Sequence, residues 1–266
     1  MPFRYDFPTR HAPLRSPAGR RILRVGHSGA GAYAPPNSLR ALSLALEHRV
    51  DMVEFDVRTC ADGLVLSHDD AVETDAGPVV LSTLTMEQAR ALRIQGEPIA
   101  TLDEALDLLR GRVLINLDMK DEGRERDIAE AIRRHNMADQ ILVSSLVAPS
   151  LRRFREAMPE ARLGMSYPED KGGASTKPYM QIPVKIALWY MRRFLPVIVG
   201  KLLAQSQADD VMLYHKVITP GAVRTFHAAG VRVFAWTVDN LERMRQLAAM
   251  EVDGITTNQT LLFEQL

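Results

Sequence analysis

The chain has 266 residues, of which 46% are hydrophobic and 25% are charged, and its 33 basic and 33 acidic side chains cancel. This balance provides no overall field for nucleic acid, so we expect no nucleic-acid partner. Cys60, the single cysteine, excludes a disulfide framework and a cysteine-based zinc cluster. The length fits one large α/β domain or two small ones.

Residues 1–20 are rich in proline and lack a periodic hydrophobic pattern, which predicts an irregular N-terminal arm. They contain no apolar core of a secretory signal. No uncharged run in the chain reaches the roughly 18 residues that a membrane-spanning helix needs. We therefore expect a soluble, cytoplasmic protein in which residues 21–266 form one domain.

Runs typical of strands alternate with helical patterns along the rest of the chain. Nine strand candidates are 22–27, 52–57, 63–68, 112–120, 140–145, 161–166, 211–214, 231–238 and 253–258. Asn37 and Asp239 are predicted to cap helices. Thr101 and Glu104 have the spacing of a capping box, and Thr219 precedes a proline at a first helical position.

The connection between 52–57 and 63–68 is too short for a parallel crossover, which needs about a dozen residues or more, so this pair predicts a hairpin excursion. Without 63–68, eight strand–helix units remain in about 250 residues, which is the count of a (β/α)₈ TIM barrel. A doubly wound open sheet is the alternative. It is disfavoured because no G-x-G-x-x-G or phosphate-binding loop pattern follows a strand.

Active sites of such barrels lie where the strands end. Side chains that carry chemistry occur at these positions: His27, Glu54, Asp56, His68, Asn116, Asp118, Lys120 and Trp236. The carboxylates Glu54, Asp56 and Asp118 would repel one another around one axis unless a cation lies among them. Oxygen ligands alone suit Mg²⁺ or Ca²⁺ better than zinc. His27 and His68 then remain for proton transfer.

The order of these residues resembles the opening of the glycerophosphodiester phosphodiesterase family, one of the phosphatidylinositol-phospholipase-C-like TIM-barrel phosphodiesterases. Residues 26–70 read GHSGAGAYAPPNSLRALSLALEHRVDMVEFDVRTCADGLVLSHDD, where the usual pattern is His-Arg-Gly, Pro-Glu-Asn, Glu-x-Asp-Val, Asp-Gly and His-Asp. The similarity continues through TLDEALDLL, INLDMK, AWTVDN and DGITTN. It implies a (β/α)₈ barrel that acts on phosphodiesters bearing glycerol.

The resemblance implies a role for each matching residue. Glu54, Asp56 and Asp118 would bind a divalent metal, Mg²⁺ or Ca²⁺, and His27 and His68 would be the general acid and base. The remaining matches are predicted to bind substrate, with the lysine on the phosphate: Lys120, Trp236, Asn37 and Ser28.

Three positions depart from the family pattern. Ser28 replaces the arginine that usually follows the first histidine, Pro36 replaces the glutamate of Pro-Glu-Asn, and Asp118 replaces a glutamate. A serine cannot provide the bidentate, charged contact that a guanidinium makes with phosphate. We expect a site that is impaired or retuned by this loss. The arginine and the glutamate that relatives have at positions 28 and 36 are hypothesised to interact with each other.

A short apolar insertion is predicted near 170–205. Residues 180–204 mix apolar and aromatic side chains with four cations, and Pro196 interrupts them. The charges and the proline argue against a bilayer span. One interpretation is an outer helix of the barrel that packs its apolar face. The other is an interfacial or lid helix that contacts a membrane peripherally and admits an acyl chain.

The favoured function is metal-dependent hydrolysis of glycerophosphodiesters or lysophospholipids to a product of the glycerol 3-phosphate type and an alcohol. The alternative is a catalytically impaired barrel that binds phospholipid or glycerophosphodiester without cleaving it. A lyase of the phospholipase D-toxin kind is a third hypothesis. The head group, the ion and the oligomeric state are left open by the sequence.

Overall fold

The structure is a computed structural model that describes residues 3–7, 11–168 and 180–266. Its strands are β1 (Leu14–Arg15), β2 (Arg21–Gly26), β3 (Met52–Cys60), β4 (Gly63–Leu66), β5 (Ala71–Thr74), β6 (Gly77–Val80), β7 (Arg93–Ile94), β8 (Glu97–Pro98), β9 (Leu114–Met119), β10 (Ile141–Ser145), β11 (Arg162–Tyr167), β12 (Asp210–Tyr214), β13 (Val233–Trp236) and β14 (Gly254–Thr257). Its helices are α1 (Leu39–Glu47), α2 (Met86–Ala91), α3 (Leu102–Leu109), α4 (Glu125–Arg134), α5 (Ala148–Ala157), α6 (Gln181–Ser206), α7 (Pro220–Ala228) and α8 (Leu241–Ala249).

The strands of the main sheet close into a barrel. Parallel pairing runs in the order β2, β3, β9, β10, β11, β12, β13 and β14, and β14 pairs back with β2. Helices lie between successive strands of this set in the described part of the chain. The (β/α)₈ barrel expected from the sequence is therefore confirmed, and the open-sheet alternative is wrong.

Strand β3 extends beyond the barrel wall and turns back antiparallel onto β4, with Cys60 opposite Gly63. The hairpins β5–β6 and β7–β8 and helix α2 follow before the chain returns at Thr101. This excursion has a small hydrophobic core of its own, in which Val65 and Leu81 are buried. It places His68, just after β4, beside the end of β3.

The N-terminal arm is more regular than its composition predicts. Strand β1 pairs antiparallel with β2. Phe3, Tyr5 and Phe7, spaced by two, pack against the cluster of apolar side chains inside the barrel. The Arg232 guanidinium lies 3.9 Å from the centre of the Tyr5 ring. Most of that cluster lies near the starts of the strands. The arm therefore covers the face of the barrel at which the strands begin.

Two predicted helix caps are wrong, and two starts are confirmed. Ser38 rather than Asn37 caps α1, and Asn240 rather than Asp239 caps α8. In both cases the predicted side chain is engaged in tertiary hydrogen bonds described below. The capping box at Thr101 is present, and the cap at Thr219 is present.

Towards their ends, the barrel strands separate an outer apolar layer from polar side chains that point into the interior. On β3, Val53, Phe55 and Val57 belong to the core between the barrel and its outer helices. Glu54 and Asp56 alternate with them and line the interior. This period of two is the reason why one strand serves both the core and the site.

Helix α6 has 26 residues, against 6 to 10 for the other described α-helices. Leu195 and Val199, in its second half, are fully buried in the outer core. This half therefore takes the place of the barrel helix between β11 and β12, in agreement with the interpretation of 180–204 as an outer helix and not with that of a mere insertion. Residues 169–179 of the predicted insertion lie outside the described residues. No helix described here has the length and continuous hydropathy for crossing a bilayer.

Candidate active site

A cavity of about 220 Å³ lies where the barrel strands end. Eight of the ten candidate side chains named from the sequence line it: His27, Glu54, Asp56, His68, Asn116, Asp118, Lys120 and Trp236. Further polar side chains complete the wall: Ser144, Ser166, Thr237 and Thr256. The structure therefore brings together the side chains that carry the predicted chemistry.

Lys120 forms ion pairs with two of the carboxylates. Asp56 and Asp118 lie opposite each other on neighbouring parallel strands. Lys120 Nζ lies 2.9 Å from Asp56 Oδ1 and 2.6 Å from Asp118 Oδ2. Burial opposes ionisation of Asp56, but the Lys120 ammonium outweighs it and lowers the pKa of Asp56 to about 2. Burial likewise opposes the charge of Lys120, but Asp118 and Asp56 raise its pKa. Asp56 and Lys120 are therefore both ionised at neutral pH.

The negative charge of Glu54 is less compensated than those of Asp56 and Asp118, because Lys120 does not contact it. Burial, followed by the charge of Asp56, raises the pKa of Glu54 to about 8. His27 Nε2 lies 4.0 Å from Glu54 Oε2, and the Ser28 N–H donates to the same oxygen at 2.8 Å. Burial lowers the pKa of His27, but Glu54 and Asp56 together raise it above its ordinary value. Glu54 and His27 therefore form a pair that can hold a proton at neutral pH.

Asn258 orients His27 through a hydrogen bond, a role that was not predicted from the sequence. Asn258 Oδ1 lies 2.8 Å from His27 Nδ1, and Asn258 Nδ2 donates to Asp239 Oδ2 at 2.8 Å. Asp239 Oδ1 also accepts from the Asn258 N–H at 2.8 Å. Because Asp239 turns the amide oxygen towards His27, this network assigns the proton to Nδ1 and leaves Nε2 facing Glu54. Asn258 directly follows β14, the last barrel strand, and this position was the signal that could have identified it as a site residue.

The second histidine lies at the rim. The His68 side chain is 62% exposed, against 27% for His27. His68 Nδ1 lies 2.9 Å from Asp69 Oδ1, and Arg58 Nε donates to the His68 carbonyl at 2.9 Å. The charge of His68 also helps to lower the pKa of Asp56. One histidine is therefore shielded and fixed, and the other is accessible to solvent.

Ser28 and Asn37, predicted to bind substrate, lie behind Asp56 instead of lining the cavity. Asn37 Nδ2 donates to Asp56 Oδ2 at 2.8 Å, and the Asp56 N–H donates to Asn37 Oδ1 at 3.0 Å. Ser28 Oγ lies 3.3 Å from Asp56 Oδ2. The Asn37 N–H donates to the Ser28 carbonyl at 3.1 Å, so Ser28 and the neighbouring Pro36 are close in space. Both departures from the family pattern thus belong to one loop contact that supports Asp56.

The cavity wall presents oxygen atoms with the character of ligands for a hard cation. Asn116 Oδ1 is buried and has no hydrogen-bond partner among the described residues. Ser144 Oγ donates to Asp118 Oδ1 at 2.6 Å. Within residues 3–7, 11–168 and 180–266, no three His, Cys, Asp or Glu side chains are arranged to hold a metal ion. In this arrangement the Lys120 ammonium lies between Asp56 and Asp118.

The charges fit a divalent cation. Ionised Glu54, Asp56 and Asp118 would carry three negative charges, and Lys120 returns one positive charge. A divalent cation would balance the remainder, and the carboxylates together with the unpaired Asn116 Oδ1 offer it oxygen donors. The residues present therefore fit Mg²⁺ or Ca²⁺.

Comparison with known proteins agrees with this geometry. The glycerophosphoryl diester phosphodiesterase family matches residues 27–262, a range that includes every residue that lines the cavity. The glycerophosphodiester phosphodiesterase of Caldanaerobacter subterraneus subsp. tengcongensis is 27% identical over 254 residues, which are 90% of this chain and 94% of that protein.

Solved structures share the fold. The glycerophosphodiester phosphodiesterase of Agrobacterium tumefaciens has a TM-score of 0.72 at 22% identity, over 92% of this chain and 100% of that chain. A phosphodiesterase of Oleispira antarctica, solved with the product sn-glycerol-3-phosphate, has a TM-score of 0.72 at 21% identity, over 91% of this chain and 95% of that chain. The family match over most of its length shows that this chain belongs to the glycerophosphoryl diester phosphodiesterase family, and so to the phosphoric diester hydrolases.

Proposed function

We propose that this protein hydrolyses a phosphodiester bearing glycerol to a product of the glycerol 3-phosphate type and an alcohol, with His27 and His68 as the acid–base pair. The observation that carries the proposal is the convergence of both histidines, the carboxylates and Lys120 on one cavity. A protein that only bound the diester would have no need for two proton-transfer groups beside it. The family membership and the relatives named above support the same class of substrate.

The proton transfers follow from the surroundings of the two histidines. One takes the proton of the attacking water or glycerol hydroxyl, and the other protonates the oxygen of the departing alcohol, so that one P–O bond forms as another breaks. Where the glycerol hydroxyl attacks, the product is a cyclic phosphodiester, and water then opens it to the phosphomonoester. His27 Nε2 is directed to the cavity by Asn258 and lies 4.0 Å from Glu54 Oε2. His68 lies at the rim, where solvent can exchange protons with it.

Lys120 is the cation that would hold the phosphate. It lines the cavity while its ammonium is bound by Asp56 and Asp118, so its position is fixed before substrate enters. A preorganised charge of this kind costs no reorganisation when negative charge develops on phosphate oxygens. Trp236, also in the wall, would contact the organic part of the substrate.

Mg²⁺ or Ca²⁺ is proposed as the cofactor, held by Glu54, Asp56 and Asp118, with Asn116 as a further oxygen donor. When bound, such an ion would provide positive charge for the phosphate oxygens. The fit rests on the surplus of negative charge and on the unpaired Asn116 Oδ1. Cytoplasmic location and the choice between the two ions stay predictions.

The cavity favours a small head group over a complete lipid. A volume of about 220 Å³ accommodates a glycerol phosphate with a small alcohol, whereas an acyl chain would extend beyond the mouth. For a lysophospholipid, the apolar first half of α6 beside the mouth would be the contact for that chain. The two substrate classes therefore predict different effects of changes in α6.

The proposal is tested by product formation from glycerophosphocholine and from lysophosphatidylcholine, side by side, with Mg²⁺, with Ca²⁺ and with EDTA. We expect glycerophosphocholine to be cleaved with an added ion and cleavage to stop in EDTA. Preference for lysophosphatidylcholine would instead favour the lipid substrate. Cleavage that is undiminished in EDTA would contradict the metal assignment and leave the hydrolase assignment intact.

The alternative, binding without cleavage, is favoured by one observation. The neutral Ser28 hydroxyl lies beside Asp56, and Pro36 belongs to the same loop, where the family pattern has a charged pair at positions 28 and 36. The missing guanidinium lowers the positive charge available to the phosphate. Folded protein that binds glycerophosphocholine but releases no product with either ion would establish this alternative.

Replacing Asn258 by alanine is expected to lower kcat by about 10–100-fold with little change in KM, since Asn258 orients His27 and does not line the cavity. Steady-state kinetics on glycerophosphocholine measure both constants. Gln259→Ala is the matched control because its side chain contacts Tyr33 on the surface. An unchanged kcat in Asn258→Ala would show that His27 needs no such support.

A further inference from the structure

The first half of α6 extends beyond the barrel beside the mouth of the cavity. At 1.5 Å per residue the helix is about 39 Å long, roughly three times the length of the other barrel helices. It starts after β11, at the end of the barrel where the strands end, and its buried positions Leu195 and Val199 lie in the second half. Residues 182–194 therefore form a projecting segment at the end of the barrel that holds the site.

This projecting segment exposes more than half of the large apolar side chains on the described surface. Nine such side chains are exposed among the described residues, and five of them belong to the segment: Ile182, Ile186, Trp189, Tyr190 and Phe194. A sixth, Val197, follows the segment on α6. Ile182 is 72% exposed and Trp189 is 67% exposed. Ile182, Ile186, Trp189 and Val197 recur at intervals of three, four or eight residues, so they share one face, opposite the face that packs on the barrel. Exposed apolar side chains gathered in one place mark an interaction surface.

A basic cleft adjoins this segment. Its volume is about 820 Å³, and it is lined by five cations: Lys185, Arg192, Arg193, Lys216 and Arg243. No carboxylate is among the described residues that line it. Burial and the Arg192 charge lower the pKa of Arg243, and burial with the Arg243 and Lys216 charges lowers the pKa of His215 to about 4. Positive charge is therefore concentrated in the cleft, although the chain as a whole has none in excess.

The cleft and the active cavity are connected by aromatic contacts. His215 lines the cleft, and its ring centre lies 5.0 Å from that of Tyr214. The Tyr214 ring centre lies 5.5 Å from that of Trp236, which lines the active cavity. Anything bound on the projecting segment and in the cleft would thus lie next to the route by which substrate enters.

We propose that the projecting segment and the basic cleft form a docking surface for an anionic lipid bilayer, with the apolar face in the interface and a lipid phosphate in the cleft. Aromatic and aliphatic side chains flanked by Lys and Arg are the combination that binds such interfaces. A second copy of this chain that docked through the same surface would bring the cations of the two clefts together and would be repelled. The docking does not depend on catalysis.

The test is co-sedimentation of the full chain with vesicles of phosphatidylcholine alone and of phosphatidylcholine with phosphatidylserine. We expect binding to the anionic vesicles only, and release as salt is raised. Arg192→Gln with Arg193→Gln should weaken the partition coefficient about 30-fold, because each cation near an anionic surface contributes about fivefold. Ile186→Ala with Trp189→Ala should weaken it about tenfold or more, through the lost apolar burial.

Matched controls are Arg245→Gln, an exposed cation on α8, and Val80→Ala, an exposed apolar side chain on β6. Both should bind like the wild-type chain, and circular dichroism checks that every variant is folded. Failure of the wild-type chain to bind anionic vesicles, equal binding to neutral ones, or unchanged binding of the α6 variants would overturn the proposal. So would light scattering that shows a dimer which the apolar α6 variant dissociates. Vesicle binding is measured without a diester, so its failure would leave the proposed hydrolysis untouched.

Discussion

His27→Ala is expected to lower kcat/KM on glycerophosphocholine by about 10²–10⁴-fold, because positioned proton transfer contributes that much to a hydrolytic step. His68→Ala should cause a loss in the same range. His27 is fixed by Asn258 and faces Glu54, whereas His68 approaches Asp56 from the rim. Steady-state assays with a saturating divalent ion measure both losses.

The control for these variants is His48→Ala. His48 hydrogen-bonds Thr260 at 2.7 Å and lies outside the cavity, so its loss should leave kcat/KM unchanged. Thermal unfolding of each variant separates lost chemistry from lost folding. Full activity of His27→Ala or of His68→Ala would refute the acid–base pairing.

Lys120→Met is expected to reduce kcat/KM by about 10²–10³-fold, since it removes a preorganised charge from the developing anion. It also leaves Asp56 and Asp118 without their shared cation. Breaking a buried ion pair from one side costs about 3–5 kcal/mol, so the free energy of unfolding, measured with denaturant in EDTA, should fall by a similar amount.

A second substitution separates the two effects. Lys120→Met with Asp118→Asn removes one of the uncompensated charges, so it should recover part of the lost stability but none of the lost activity. Lys201→Met, an exposed lysine on α6, is the control for the loss of a lysine side chain. Wild-type stability in Lys120→Met would show that the carboxylates do not depend on it.

Much of the fold could be predicted because its signals are local. The number of strand–helix units and the short link before β4 sufficed for a (β/α)₈ barrel, and the period of two on β3 separated Glu54 and Asp56 from the core. The caps at Asn37 and Asp239 were mispredicted because tertiary partners compete for those side chains. The Asn37 side chain is hydrogen-bonded to Asp56, and the Asp239 side chain is hydrogen-bonded to Asn258.

The candidate site could be predicted as far as the residues that line it, since polar side chains at barrel strand ends converge whatever the loops do. It could not be predicted which of the named residues bind substrate and which only hold another site residue in place by hydrogen bonds. Ser28 and Asn37 have positive φ values of 47° and 63°, which turn them behind Asp56 rather than into the cavity. The ion pairs of Lys120 likewise depend on the register of β3 and β9.

The composition of 180–204 left two interpretations, and the structure divides them along α6. The second half is an outer barrel helix, as its buried Leu195 indicates. The first half is exposed and apolar, and it supports the interfacial interpretation that the docking proposal develops. Sequence periodicity could not separate them, because apolar side chains occur both on the face that packs on the barrel and on the opposite, exposed face, and only the barrel decides which part is covered.

Phosphorus NMR of the protein with glycerophosphocholine and Mg²⁺ decides between hydrolysis and binding, because one spectrum distinguishes bound diester from cleaved product. We expect the diester signal to disappear with time and a phosphomonoester signal to replace it, at a rate that falls in His27→Ala. A diester signal that broadens or shifts with protein but never gives a monoester, with Mg²⁺ or with Ca²⁺, would refute hydrolysis and identify the barrel as a binding protein.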